Sequence, residues 1–285
     1  MNIWIVLLLC AIPPLFGWYL FRAPRRRHGR LSKQQRRLLA QAIPGWRNMA
    51  TPTQRELQHL TWLFLQEKRF VGCDGLQVTE AMRVSIAGLA CMLVMRRETA
   101  LYPRLSHIML YPDAFIAPRK EQLPGGVVQE SRQTLAGESW DHGQVVLSWR
   151  HVQEALAEPD SGHNVVWHEF AHQLDSENGP TNGAPQLPGR RAYQTWAALM
   201  QEEFNRLRQA VDHGLPTALD PYGAQNPAEF FAVACEAFFG RPHQLARLHA
   251  SLYALLADYF RVDPRHWMED RAPQEDELPG YFSVH

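Results

Sequence analysis

His168 and His172 stand four residues apart with Glu169 between them, inside the run Val165-Val166-Trp167-His168-Glu169-Phe170-Ala171-His172-Gln173-Leu174-Asp175. On a helix, residues at that spacing share a face with Cβ atoms about 5–6 Å apart, so two imidazoles can hold one metal ion. Glu169, beside the first of them, can take a proton from the water such an ion activates. This H-E-x-x-H pattern points to hydrolysis at one catalytic Zn2+. The competing reading is an amphipathic helix with two hydrogen-bonded histidines. The flanks fit a helix in either case: Val165, Val166, Ala171 and Leu174 form an apolar face, Asp160 or Ser161 can cap its start, and Gly179-Pro180 ends it.

A catalytic zinc takes three protein ligands and leaves a fourth position for water. The extended pattern with a third histidine is absent, because Asp175 and Asn178 occupy the positions of its glycine and histidine. The third ligand is therefore sought in Tyr222-Gly223-Ala224-Gln225-Asn226-Pro227-Ala228-Glu229 and the residues after it. Asn226 as N-cap and Pro227 at the first helical position announce a helix whose apolar face holds Phe230, Val233, Ala234, Ala237 and Phe238. Glu229 lies three residues after the cap, so it fits a capping box as well as a metal ligand. Glu236, two turns on, is a second ligand candidate or an acceptor for an imidazole N–H. Asp175 could orient a ligand imidazole, although a helix-end carboxylate more often meets solvent. The remaining histidines, His107, His142 and His163 among them, lack a partner at ligand spacing and read as structural or surface residues.

His-Glu-Phe-Ala-His-Gln-Leu-Asp at 168–175, followed by Tyr-x6-Glu-Phe-Phe-Ala from Tyr222, resembles the MtfA peptidases, the Mlc titration factor A family. That family is in turn similar to the catalytic domain of anthrax lethal factor. The resemblance covers roughly residues 37–265, including Leu-Tyr-Pro at 110–112 and Gly-Glu-Ser-Trp at 137–140. It implies a gluzincin-like zincin domain with zinc ligands His168, His172 and Glu229, general base Glu169 and transition-state stabiliser Tyr222. It also implies peptide or protein substrates, an aminopeptidase-like specificity, and association with an Mlc-like transcriptional repressor. Such association need not use the zinc, so a membrane-tethered regulatory binding protein is the alternative function. The chain departs from shorter members at Gln129, beside Glu130, where they carry a histidine able to meet the metal.

Several elements must position these groups. Thr53 and Glu56 form a capping box for a helix reaching Phe70, with Leu57, Leu60 and Phe64 on one stripe. A second apolar helix runs near 78–95. Residues 106–111 and 144–149 are strand-like, the first ended by Pro112. The helix of the histidines follows, then helices near 191–213, after Asn226, and near 248–261. Mostly helix with a small sheet predicts an α+β fold. The connection 113–143, with Pro118, Pro124, Gly125 and Gly126, is long for a compact domain and is read as a flap over the metal cleft.

Residues 3–21 carry no charge, and nineteen residues in a helix span about 28 Å, close to the thickness of a bilayer core. Pro13-Pro14 would kink that helix, and Trp18 and Tyr19 sit where interface anchors do. Arg22, Arg25, Arg26, Arg27 and Arg30 follow it, with no basic side chain ahead of it. That asymmetry favours a single-pass transmembrane helix in the inner membrane with the domain in the cytoplasm over a cleaved signal peptide; a cytoplasmic protein is the alternative. The organisation expected is an anchor at 1–21, a basic linker at 22–36, the peptidase domain at 37–265 and an acidic tail at 266–285. Of the 285 residues 46% are hydrophobic, enough for one substantial core, and the formal net charge of zero gives no reason to expect nucleic acid as a direct partner. Cys10, Cys73, Cys91 and Cys235 lack ligand spacing and read as buried free thiols of a reducing compartment.

Overall fold

Ser32 opens the first helix, α1 (Lys33–Ala42), with a reciprocal cap: its hydroxyl accepts from Gln35 N while the Gln35 side chain accepts from Ser32 N. Helical structure thus begins before residue 37, inside the stretch expected to be linker. The computed structural model describes residues 29–97, 100–113, 115–122, 128–135, 137–140 and 143–270, and for 115–122, 128–135 and 137–140 it describes the backbone alone. The expected anchor falls on residues 1–28 and most of the acidic tail on 271–285, so both lie outside the described residues. No described helix is long and apolar enough to cross a membrane.

α2 (Thr51–Glu67) starts a turn earlier than its expected capping box would allow. Pro52 sits at the helix start, where its fixed φ helps and its missing N–H costs nothing. Thr53 and Glu56 therefore lie inside the helix, and both meet Arg96 instead of capping. The helix stops at Glu67, because Arg69–Gly72 is a short strand, β1, rather than the last turn expected to reach Phe70. α3 (Glu80–Met92) is buried along almost its whole length. Gly88 lets α1 lie against it, since a Cβ there would stand 2.3 Å from Leu39 Cδ1.

One sheet has the order β1, β2 (His107–Tyr111), β6 (Gln144–Ser148), β5 (Gly137–Trp140). The first three run parallel, with Phe70 opposite Ile108 and Ile108 opposite Val145, and β5 runs antiparallel to β6 at the edge. Ile108 and Leu110 alternate with less buried residues along β2, the two-residue period of a strand with one face in the core. Between β2 and β5, β3 (Phe115–Gln122) and β4 (Val128–Leu135) form a separate antiparallel hairpin. The connection expected as a flap therefore carries a hairpin and the sheet's edge strand.

The remaining elements are helical: α4 (Trp149–Ala157), α5 (Val165–Asp175), α6 (Arg190–Asp212), α7 (Pro227–Gly240), α8 (Pro242–Leu248) and α9 (Ala250–Phe260). Trp167, Phe170 and Leu174 of α5 are 1% exposed or less. Turning α5 to present another face would expose them at about 1.5–3 kcal/mol each, so packing fixes where the histidines point. Phe170 meets Phe64 and Tyr102, and Trp167 meets Phe239 of α7. α7 is buried from Phe230 to Gly240 and shares an aromatic cluster with Phe260 of α9. The last helix expected near 248–261 is α9, and the short α8, separated from it at His249, precedes it.

Candidate metal centre

Asn164 caps α5, its side chain accepting from Val166 N and Trp167 N, in place of the expected Asp160 or Ser161. Gly162, in a left-handed turn, separates those two from the helix. From this start His168 and His172 fall one turn apart on the face turned toward α7. Asn226 caps α7 in the same way and takes both Ala228 N and Glu229 N, with Pro227 at the first helical position. Glu229 is therefore within the first turn, and its carboxylate lies against the two imidazoles instead of closing a capping box.

Three atoms converge. His168 Nε2 and Glu229 Oε2 are 2.9 Å apart, His172 Nε2 and Glu229 Oε2 3.3 Å, and the two Nε2 atoms 3.2 Å. Ligands about 2.0–2.1 Å from a tetrahedral zinc stand about 3.3 Å apart, so this donor set fits such an ion. No other group of three metal-binding side chains stands so close among the described residues. Glu236 holds the other side of His168, with Oε1 accepting from Nδ1 at 2.7 Å and Oε2 accepting from Asn164 N. That bond leaves Nε2 as the nitrogen aimed at the shared point. Glu236 thus takes the supporting role foreseen for it.

The charges agree with that arrangement. Burial disfavours the Glu229 carboxylate, but the bonds from His168 and His172 outweigh it and hold its pKa far below the usual carboxylate range. Burial likewise disfavours a charged His168, and Glu229 and Glu236 overcome it, raising its pKa well above that of free histidine. A divalent ion would compete with the proton for the metal-facing Nε2 of His168.

Glu169 is 4% exposed and lines, with His168, a cavity of about 720 Å³ between α4, α5 and α7. Tyr222 lines the same cavity from the short helix Pro221–Ala224, its ring 5.9 Å from that of His168. The structure thus brings Glu169, Tyr222, His168, His172 and Glu229 to one place. Asp175 differs from expectation: it is fully buried, and its Oδ2 accepts from Gly183 N at 2.7 Å. Gly183 has φ +79, and a Cβ there would stand 2.4 Å from Pro227 O, so this loop ties the end of α5 to the start of α7. His163, expected to be structural or surface, lines the cleft and pairs with Asp220 at 2.9 Å. Its partner is far away in sequence; the signal that was available is Asp220-Pro221, a cap-and-proline start for the turn that bears Tyr222. Cys91 and Cys235 are buried free thiols as expected, whereas Cys73 is partly exposed.

The profile of the glucose-regulated metallo-peptidase M90 family matches residues 19–261. An uncharacterized protein of Synechocystis is 40% identical over 228 residues, 80% of this chain and 83% of that protein. A protein named Mlc titration factor A from Klebsiella pneumoniae is 31% identical over 241 residues, 84% of this chain and 90% of that protein. Its namesake from Yersinia pestis is 31% identical over 260 residues, 86% and 95% of the two chains.

Proposed function

Because this chain belongs to the M90 metallopeptidases and to their Mlc titration factor A relatives, we propose that it hydrolyses peptide bonds with one zinc ion held by His168, His172 and Glu229. The observation that carries this reading is the meeting of those three side-chain atoms at 2.9–3.3 Å beside a buried glutamate and an open cavity. Held there, a zinc ion would supply Lewis acidity and bring the ionisation of water toward neutral pH. Glu169 accepts the proton of the attacking water and delivers it to the leaving amine. The Tyr222 hydroxyl donates to the oxygen on which charge develops. Glu236 fixes the His168 ring, and the apolar side of α5 fixes the helix. Residues 113–143 act as a flap that governs entry.

The specificity we infer is for free amino termini. Glu154 and Glu158 supply carboxylates on the cleft wall, and among the described residues no lysine or arginine lines it. A second reading has support in the name Mlc titration factor A: binding of an Mlc-like transcriptional repressor, independent of hydrolysis. Glu169→Gln separates the two. It should reduce hydrolysis of aminoacyl 4-nitroanilides by about 10²–10⁴-fold with zinc retained, while repressor binding persists. Wild-type turnover in that variant would end the peptidase reading. Anchorage of the domain in the inner membrane, facing the cytoplasm, completes the proposal. It rests on the uncharged stretch 3–21, nearly all of it ahead of the family match, and the arginines that follow. Recovery of the full chain in the soluble fraction after lysis would favour the cytoplasmic alternative.

A further inference from the structure

Tyr222 is 44% exposed, so burial alone does not hold its ring over His168. Its backbone is held by a specific chain of contacts. Asp220 caps Pro221–Ala224, with Oδ1 accepting from Tyr222 N at 2.7 Å. The other carboxylate oxygen, Oδ2, meets His163 Nδ1 at 2.9 Å. His163 belongs to the loop that enters α5: Ser161 Oγ accepts its N–H, and the next residue, Asn164, both caps α5 and donates to Glu236. A single loop therefore connects the support of a proposed zinc ligand, through Glu236, with the turn that carries Tyr222, through Asp220.

We propose that His163 and Asp220 are positioning residues for Tyr222, linking the entry of the histidine helix to the tyrosine turn so that the hydroxyl stays over the metal centre. This rests on the peptidase reading of the site. Neither side chain is needed to fill the core: the His163 side chain is 66% exposed and that of Asp220 24%. Both line the cleft with Tyr222. The other charges facing His163 are Glu236 of α7 and Arg241 at its end. The Asp220 bond raises the His163 pKa above its ordinary value against opposing burial, and Glu236 adds to the rise while Arg241 opposes it, so the ion pair persists to higher pH than a free histidine would allow.

The test uses the zinc-loaded full chain and compares His163→Ala, His163→Gln, Tyr222→Phe and the double variant His163→Ala with Tyr222→Phe on aminoacyl 4-nitroanilides. Tyr222→Phe should lower kcat by about 10²-fold, as loss of an oxyanion donor does. His163→Ala should lower kcat by about tenfold through misplacement, with KM within about twofold, and His163→Gln, which can still bond Asp220, should recover most of that loss. On top of Tyr222→Phe, His163→Ala should cost less than about twofold, because both changes act on one hydroxyl. Independently of any substrate, hydrogen exchange across 217–225 should quicken in His163→Ala and slow again in His163→Gln. A full tenfold loss in the double variant, or unchanged exchange, overturns the proposal. Slow Tyr222→Phe beside fully active His163→Ala overturns it while leaving the peptidase reading intact. Full activity in Tyr222→Phe removes the tyrosine's role, and the positioning role with it. Wild-type turnover in Glu169→Gln would instead sink the underlying reading, and the exchange result would still decide whether His163 holds the tyrosine turn.

Discussion

His168–Glu236 and His249–Glu203 are the same contact in two places: imidazole Nδ1 to a carboxylate oxygen at 2.7 Å, with the carboxylate 6% exposed in one and 3% in the other. Around His249 the contact is one of architecture. It joins α6 to the junction of α8 and α9, Arg206 of α6 meets the second Glu203 oxygen at 3.2 Å, and neither His249 nor Glu203 lines the cleft. Around His168 the contact is a brace. It turns Nε2 toward a point that His172 and Glu229 also face, on the wall of a cavity. A buried histidine–carboxylate bond is therefore no sign of chemistry by itself. Convergence of further donor atoms on an accessible point is what separates the two.

The sharpest way to break the comparison is to remove the convergence alone. Glu229→Ala should lower zinc affinity by about 10³-fold or more, since binding of about 10–16 kcal/mol is spread over few ligands. Metal content after dialysis measures it, and retention of one zinc per chain would remove Glu229 from the ligand set. The far-ultraviolet circular dichroism should hold, because Asn226 caps α7 without the Glu229 carboxylate.

The matching change in the other pair should touch stability and leave the metal alone. Glu203→Gln takes the carboxylate away from His249 and from the half-exposed Arg206, and losing a buried bond to a charged group costs about 1.5–3 kcal/mol. Urea unfolding reads that loss, and zinc affinity should stay within about twofold of wild type. A large fall in zinc affinity would mean that the two regions are coupled and the contrast drawn between them is false. Glu236→Gln lies between these extremes, with zinc affinity expected to fall by about 10–100-fold, as for other braces of a ligand imidazole. An unchanged affinity would make Glu236 equivalent to Glu203 and reduce its bond to His168 to packing.

What the sequence made legible follows the range over which each feature is encoded. His168, Glu169 and His172 could be placed because a helix converts a four-residue spacing into one face without help from distant chain, and Asn226-Pro227 announces its helix equally locally. Glu229 stayed divided between cap and ligand on spacing alone, because the position serves both; the bond that decided it comes from α5, about sixty residues earlier. The Asn164 cap was missed because Asp160 and Ser161 are equally good cap residues and only the Gly162 turn excludes them. In 113–143, Pro118 and the polar run after it suppress any strand signal, although Pro118 pairs opposite Arg132 in the hairpin. His163 had no visible partner because Asp220 reaches it only in three dimensions, and Asp175 looked like a helix end near solvent until the loop through Gly183 closed over it.

The smallest expected effect tests the cleft rather than its metal. Glu158, at the end of α4, lines the cavity, and its carboxylate makes no hydrogen bond or ion pair among the described residues, unlike that of Glu154, which meets Arg150 at 2.8 Å. Against the two paired carboxylates it is a third case, an anion whose partner would arrive with the substrate. It is exposed to solvent, where a single ion pair contributes about 0.2–1 kcal/mol. Glu158→Gln should therefore raise KM for substrates with a free amino terminus by about two- to fivefold, leave kcat unchanged, and leave any activity on N-acetylated peptides as it was. An equal change for both substrate types would show that Glu158 acts on the cleft as a whole, and an unchanged KM would place the amine elsewhere, with Glu154 the carboxylate to vary next.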